Sequence, residues 1–360
     1  MGMQTSCQEK ILEVRDLSVG FVSHGKKVDV IRNISLDVYR GETLAIVGES
    51  GSGKSVFTKT FTGMLDANGY ISTGSILLGG EDLANKTSHK DWKGIRGKRI
   101  ATIFQDPMTS LNPLLTIGYQ ISEVLMLHHG MSAKEAHIEA IKLLKKVQIP
   151  NAEDRMKDYP FQYSGGMRQR VVIAIALACR PEILICDEPT TALDVTVQSQ
   201  IIELIKQLQA EFHWTTIFIT HDLGVVANVA DRIAVMYGGQ IIEYGTTEDI
   251  FYTPQHPYTW ALLSSLPQLG TKNEPLIYIK GNPPSFTNEI IGDAFAIRND
   301  YAMRIDHLQE PPMFKISETH YAKTWLLDPR ASKVEKPKII QNLRERMKKA
   351  AADLKREVGE

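Results

Sequence analysis

Residues 48–55 read GESGSGKS. Three glycines in eight positions suit neither a helix nor a strand. The apolar run TLAIV precedes them, and VFTKTFTGML, which reads as a helix, follows. The spacing G-x-x-x-x-G-K-[ST] is met by Gly48, Gly53, Lys54 and Ser55. Between a strand and a helix, such a loop turns successive backbone N–H groups and a helix start toward one point, a nest for phosphate oxygens. Lys54 is placed to reach β- and γ-phosphates, and the Ser55 hydroxyl to ligate Mg²⁺. A surface turn rich in Gly and Ser is the competing reading, and the flanking strand and helix speak against it. The loop therefore commits this part of the chain to alternating strands and helices around a mostly parallel sheet.

The rest of the chain narrows the class. Guanine readers use an N-K-x-D segment, and the nearest stretch, NKTS at 85–88, lacks the Asp. A net charge of -1 gives no global basic field, which argues against bulk nucleic-acid binding. Cys7, Cys179 and Cys186 form neither a CxxC pair nor a disulfide framework. VVIAIALAC, 171–179, is far shorter than the roughly 20 apolar residues that span a bilayer. The start MGMQTSCQEK has no apolar signal core. It does fit the M-G-x-x-x-[ST] acylation pattern through Gly2 and Ser6, with an ordinary soluble start as the alternative.

A second set of polar groups lies at 160–221. ILICDEP, 183–189, reads as an apolar strand that ends in two carboxylates, where ligands of parallel sheets bind. Asp187 fits a Mg²⁺ ligand or a group just behind one, and Glu188 a base that polarises an attacking water. YSGGMRQR, 163–170, places Ser164, Gly165 and Gly166 at the start of an apolar helix, a second anion site. One nucleotide does not need two such sites, so this one is expected to serve the nucleotide of another subunit. ALD, 192–194, precedes a helix with Val197, Ile201, Leu204, Ile205 and Leu208 at helical spacing. TTIFITHD, 215–222, ends in His221. A histidine there is either structural or a γ-phosphate contact, and its company favours the contact.

In this order, GESGSGKS, Gln105 in IFQDP, YSGGMRQ, ILICDEP, ALD and His221 resemble an ATP-binding cassette (ABC) ATPase across residues 11–245. The Ser-Gly-Gly signature is what other P-loop proteins lack. The resemblance implies that ATP lies on Gly48, Glu49, Ser50, Gly51, Ser52, Gly53, Lys54, Ser55 and Val56. It implies that Gln105 senses the γ-phosphate and Mg²⁺, that Asp194 sits in the loop between paired cassettes, and that Glu188, His221 and Gln105 are catalytic. Phe21 aligns with the aromatic ring that stacks on adenine, and a strand-core role for this Phe is the alternative. Tyr163 stands where Leu is usual and Met167 where Gln is common; neither removes the Ser-Gly-Gly donors.

Three parts are expected. Residues 1–250 form the ATPase domain, with an antiparallel flank at 11–47, strand and helix alternating at 48–105 and 180–245, and a helical subdomain at about 106–175. There SAKEAHIEAIKLLKKV, 132–147, opens with a Ser cap. DRIAVMYGGQIIEYG, 231–245, reads as a hairpin around Gly238-Gly239. Residues 251–331 change composition: HPYTWALLSSLP and the run GNPPSF…GDAFAIRNDYA…WLLDPRA resemble the C-terminal region of oligopeptide and dipeptide importer ATPases. Many of those carry a cysteine cluster that resembles an iron–sulfur site, whereas Asp293 and Asn299 stand in the corresponding places here, so no such cluster is expected. Residues 332–360 hold an amphipathic pattern at 338–358, read either as a helix docked on its own domain or as a partner or membrane contact.

The resemblance implies an ATPase subunit driving oligopeptide import at the cytoplasmic face of the cell membrane. Its implied partners are two transmembrane permease subunits, a second and non-identical cassette, and, indirectly, an extracytoplasmic peptide-binding protein, with no nucleic acid. Alternatives are an importer ATPase for a dipeptide-family solute such as nickel, a non-transport ABC protein of translation or repair, and a module that binds ATP without turnover. The short 106–163 segment, the single cassette and the presence of Glu188 and His221 argue against the last two.

Overall fold

The computed structural model describes residues 9–23, 25–191, 193–266, 279–288, 290–341 and 343. Twelve strands make two sheets among these residues. β1 (Lys10–Ser23), β2 (Lys26–Tyr39), β4 (Gly69–Leu78) and β5 (Glu81–Asp82) form an antiparallel sheet in the order β2-β1-β4-β5. The larger sheet has the order β11-β12-β10-β9-β3-β8-β7-β6. It comprises β3 (Thr43–Val47), β6 (Ile100–Ile103), β7 (Ile183–Asp187), β8 (Thr215–Thr220), β9 (Arg232–Tyr237), β10 (Gln240–Thr246), β11 (Phe314–Lys315) and β12 (Tyr321–Ala322). The run β9-β3-β8-β7-β6 is parallel; β10, β12 and β11 continue it antiparallel. This is the α/β fold with a mostly parallel core and an antiparallel flank that the sequence implies.

Strand periodicity builds three cores. Leu44 and Ile46 of β3, Ile183 and Ile185 of β7, and Ile217 and Ile219 of β8 face the antiparallel sheet. On the other face, Leu184, Cys186 and Phe218 meet the helical segment, while Ala45, Val47, Val235 and Tyr237 meet residues from 250 onward. Helices Ile117–His129, Ala133–Lys146 and Gly165–Ala178 fill the helical segment. The Ser132 cap forms a capping box with Glu135, which satisfies two of the helix's unpaired groups. Burial lifts the Cys179 thiol to about 11, so it packs as an inert small hydrophobe.

Several details differ from the sequence reading. Helix Lys54–Thr60 stops before Thr62. Gly63 then takes φ 60, and a Cβ there would lie 2.2 Å from the Trp92 ring, so only glycine fits at this turn. β4 and β5 belong to the antiparallel sheet, although the alternation in 48–105 suggests parallel pairing. TLAIV, grouped with the flank, is instead a central parallel strand, buried throughout. The hairpin at Gly238-Gly239 is present as β9–β10. Residues past 250 do not stand apart: Phe251, Tyr258, Trp260, Leu263 and Phe295 are buried on the sheet's face, and β11 and β12 lengthen the sheet. Of the 338–358 pattern, Lys338–Gln341 is helical with Ile339 and Ile340 buried, and Leu343 is buried too. Its remainder, along with Gly2, Ser6 and Ala192, lies outside the described residues.

Candidate functional site

Four parallel strands, β6, β7, β8 and β3, run out at one edge of the sheet, and each releases a polar group there. β3 runs into the 48–55 loop. Gly48 adopts φ 155, and a Cβ there would lie 2.2 Å from the Met236 carbonyl oxygen. Gly53 adopts φ 103 as the cap of helix Lys54–Thr60, and a Cβ there would crowd Ile31. Both positions admit only glycine without a shift of neighbours. Lys54 is buried, and its Nζ donates to the carbonyls of Gly48 (2.8 Å) and Glu49 (3.0 Å). Burial lowers its pKa, opposed by the carboxylates of Glu188, Asp187 and Glu49. The Ser52 hydroxyl is buried without a partner among the described residues. Ser50 and Gly51 are exposed, Glu49 and Val56 half-buried.

β7 delivers the acids. Ser55 Oγ donates to Asp187 Oδ1 at 3.0 Å. Burial raises the Asp187 carboxyl, opposed by that hydrogen bond, while Glu188 adds to the rise. Glu188 has φ 47, a left-handed backbone that costs a side chain of this kind about 1–3 kcal/mol. It is held by its N–H to the Ile219 carbonyl at 3.0 Å. Its carboxylate is the hub of the site: it accepts from Gln105 Nε2 (3.2 Å) and Thr191 Oγ1 (3.0 Å), and His221 Nδ1 lies 3.4 Å away. His221 is exposed at the end of β8, and Gln105 is exposed just after β6. Asp222 caps the next helix, bonding Gly224 N at 2.8 Å, and so fixes the turn that carries His221.

The other expected residues sit elsewhere. Ser164 caps helix Gly165–Ala178, accepting from Met167 N at 3.3 Å; Ser164 and Gly165 are exposed. A Cβ on Gly166 would press on Val197 at 2.6 Å. Tyr163 is buried where Leu is usual, with its hydroxyl on the Arg155 carbonyl at 2.9 Å; burial pushes its pKa up to about 12. Met167 packs against the helical core. Asp194 caps the helix Val195–Phe212 through Val197 N. Phe21 is half-buried, pairs across the sheet with Val28 and Gly69, and packs on the core between the sheets.

Three participants are not singled out from the sequence, although Tyr258 and Arg298 lie in the quoted runs HPYTWALLSSLP and GDAFAIRNDYA. Thr191 lies just past the ILICDEP run. Tyr258 and Arg298 come from the C-terminal region: the Tyr258 hydroxyl accepts from Glu49 N at 2.8 Å, and Arg298 bonds both oxygens of the Glu49 carboxylate at 2.6 and 2.9 Å. Asp293 and Asn299 are buried and used in local turns, accepting from Phe295 N and Tyr301 N, and burial pushes Asp293 up to about 6.

The site suits a phosphate substrate: glycine-only loop positions, an orphaned hydroxyl in Ser52 and a buried cation surround one place. Ser55, Asp187 and Gln105 offer oxygens, the donor set that hard divalent cations such as Mg²⁺ take. Among the described residues, no helix is long and apolar enough to cross a membrane.

Comparisons with known proteins agree with this geometry. Residues 31–191 match the ABC transporter family, and residues 242–305 match the oligopeptide/dipeptide transporter C-terminal region. The chain is 62% identical to the oligopeptide transport ATP-binding protein AmiE of Streptococcus pneumoniae, over 94% of this chain and 95% of that one. It is 55% identical to the oligopeptide transport ATP-binding protein OppD of Bacillus subtilis, over 92% and 93%. The dipeptide transport ATP-binding protein DppD of Lactococcus lactis is also 55% identical, over 91% and 94%. Among solved structures, the dimeric post-hydrolysis state of the cassette MJ0796, bound to ADP and Pi, aligns with a TM-score of 0.58 at 27% identity, covering 66% of this chain and 98% of that one. A phosphate loop facing two strand-end carboxylates and a C-terminal region folded onto the same sheet place the chain in the family of ABC transporter ATPases, in the branch with an oligopeptide/dipeptide-type C-terminal region.

Proposed function

We propose that this chain is the ATP-hydrolysing subunit of an oligopeptide importer and acts on transmembrane permease subunits at the cytoplasmic face of the cell membrane. The observation that carries the reading is the meeting of Lys54, the Ser55–Asp187 pair and Glu188 at the ends of β3 and β7, the parallel strands on either side of β8. The loop from Gly48 to Val56 holds the phosphates through backbone N–H groups, with Phe21 as the platform for adenine. On ATP entry, Lys54 exchanges the Gly48 and Glu49 carbonyls for phosphate oxygens. Ser55, Asp187 and Gln105 would hold Mg²⁺, which would supply neutralisation of phosphate charge. Glu188 takes a proton from the attacking water; Gln105, Thr191 and His221 fix its carboxylate, and His221 then faces the γ-phosphate.

Ser164, Gly165 and Gly166 serve a nucleotide on a second, non-identical cassette, and Asp194 lies in the contact between the two. Oligopeptide as the solute rests on the identities with AmiE and OppD and on the C-terminal region. An extracytoplasmic binding protein would deliver it, and nucleic acid has no role. No iron–sulfur cluster forms in the C-terminal region, because thiolates hold such clusters and no cysteine follows Cys186. The test is Lys54→Ala in the assembled transporter, read as peptide uptake and ATP turnover. Both should be lost, because the buried cation of the phosphate site is gone. Parental uptake and turnover would overturn the reading.

A further inference from the structure

The phosphate loop is gripped from outside the cassette. Glu49, second in the loop, is tied at three points. Its carbonyl accepts from Lys54, its N–H donates to the Tyr258 hydroxyl, and its carboxylate takes both outer nitrogens of Arg298. The Arg298 side chain is only 5% exposed, against 26% for Glu49. Two further bonds lock its plane, from Nε to the Lys280 carbonyl at 2.7 Å and from Nη1 to the Tyr237 hydroxyl at 3.0 Å. Tyr237, Tyr258 and Phe295 pack ring on ring behind it. A planar fork fixed in this way presents one face to a carboxylate and has no freedom to follow it elsewhere.

We propose that Arg298 and Tyr258 are positioning residues for ATP: the C-terminal region holds the Glu49 carboxylate, neutralised, away from the phosphates and sets the backbone of the loop that receives them. A carboxylate in a phosphate loop is a liability, because an unpaired negative charge beside ATP repels it. The bidentate pair removes that charge from the site, and the Tyr258 hydroxyl keeps Glu49 N–H from turning. The region after residue 250 is thereby a part of the nucleotide site and not an appendage. The inference rests on ATP occupying the Gly48–Ser55 loop.

The experiment measures affinity of the full chain for a fluorescent ATP analogue, and KM and kcat of the assembled transporter. Arg298→Gln strands the Glu49 charge, so Kd and KM should rise about tenfold with kcat within about twofold. Adding Glu49→Gln removes the stranded charge and should bring Kd back to within about threefold of the parent. A purely structural role for Arg298 instead lowers the folded fraction, which reads as a fall in kcat with KM and Kd unchanged. Unchanged affinity in Arg298→Gln, or a double variant as weak as the single, overturns the proposal. Should Arg298→Gln fail to fold, Arg298→Lys is read instead: lysine meets one oxygen as a point charge, so Kd should rise about threefold, and an unchanged Kd overturns the proposal. Lys54→Ala run beside these separates the two readings. If it binds ATP normally, the loop assignment falls; if it loses ATP while Arg298→Gln does not, only the positioning role falls.

Discussion

Glu188 and Ser164 are both expected to meet ATP, yet their surroundings are opposite. Glu188 is 18% exposed and enclosed by Gln105, Thr191 and His221, all from its own chain. Ser164 is exposed, and its hydroxyl accepts from Met167 N in the helix it caps. The first site has its supporting residues on its own chain. The second is a helix start carrying the partial positive charge of an N-terminus with little around it. A group built for chemistry is enclosed and oriented; a group built to be met by another subunit is left open. On the proposed assignment, the difference separates a half of the site whose supporting residues all come from one chain from a half that needs a partner surface.

The largest test of that contrast is Glu188→Gln. The amide keeps the shape and can still meet Thr191, but it cannot take a proton from water. Turnover of the assembled transporter should fall by about 10²-fold or more, with ATP affinity of the chain nearly unchanged. Steady-state hydrolysis and nucleotide binding measure the two. A variant that hydrolyses at the parental rate would show that the enclosed carboxylate is not the base.

Ser164→Arg probes the open half, and its effect should depend on company. In the isolated chain, ATP binding should change by less than about twofold, because Ser164 is not part of the cis phosphate loop. In the assembly, ATP-driven pairing and turnover should fall about tenfold or more, since the bulky cation replaces a donor on the facing surface. If the isolated chain lost ATP as strongly as Lys54→Ala does, both motifs would share one nucleotide and the contrast would collapse.

The two halves also differ in how they read from sequence. The loop, the strand-end acids and the helix caps are local patterns, so Lys54, Asp187, Glu188 and Ser132 are placed by spacing alone. Sheet membership is not local: β4 carries the same alternation whether it pairs parallel or antiparallel, and only its register with β1 decides. Arg298 and Tyr258 reach Glu49 across 249 and 209 positions, a separation no periodicity reports. Helix Lys54–Thr60 ends short of the apolar run that suggests it, and the Trp92 ring from the distant helix His89–Trp92 packs where a side chain at Gly63 would go, a contact no local pattern reports. The exposed state of Ser164 is legible only from the fold, although the expectation of a second cassette comes from the two anion sites read in one chain.

Thr191→Val is the finest cut, since it touches the enclosure without touching the base. Thr191 Oγ1 donates to Glu188 Oε2 at 3.0 Å, the same oxygen that Gln105 Nε2 reaches at 3.2 Å. Valine keeps the branched shape and deletes only the donor. The Glu188 carboxylate then keeps the Gln105 bond and its neighbour His221, so it stays near its place but turns more freely. The Thr191 N–H bond to the Glu188 carbonyl, 3.3 Å, survives the change and holds the left-handed backbone at Glu188. One lost hydrogen bond to a charged group is worth about 1.5–3 kcal/mol at most, and partial compensation by water reduces it, so kcat should fall about three- to tenfold. KM should stay within about twofold, because the loop and Lys54 are untouched. The kcat of the assembled transporter, compared with Glu188→Gln and with the double variant, is the measurement. If the enclosure acts only through Glu188, adding Thr191→Val to Glu188→Gln should cost nothing further. A second full drop in the double variant would mean that Thr191 contacts the reacting groups itself, and the enclosed half of the site would then extend beyond the carboxylate it surrounds.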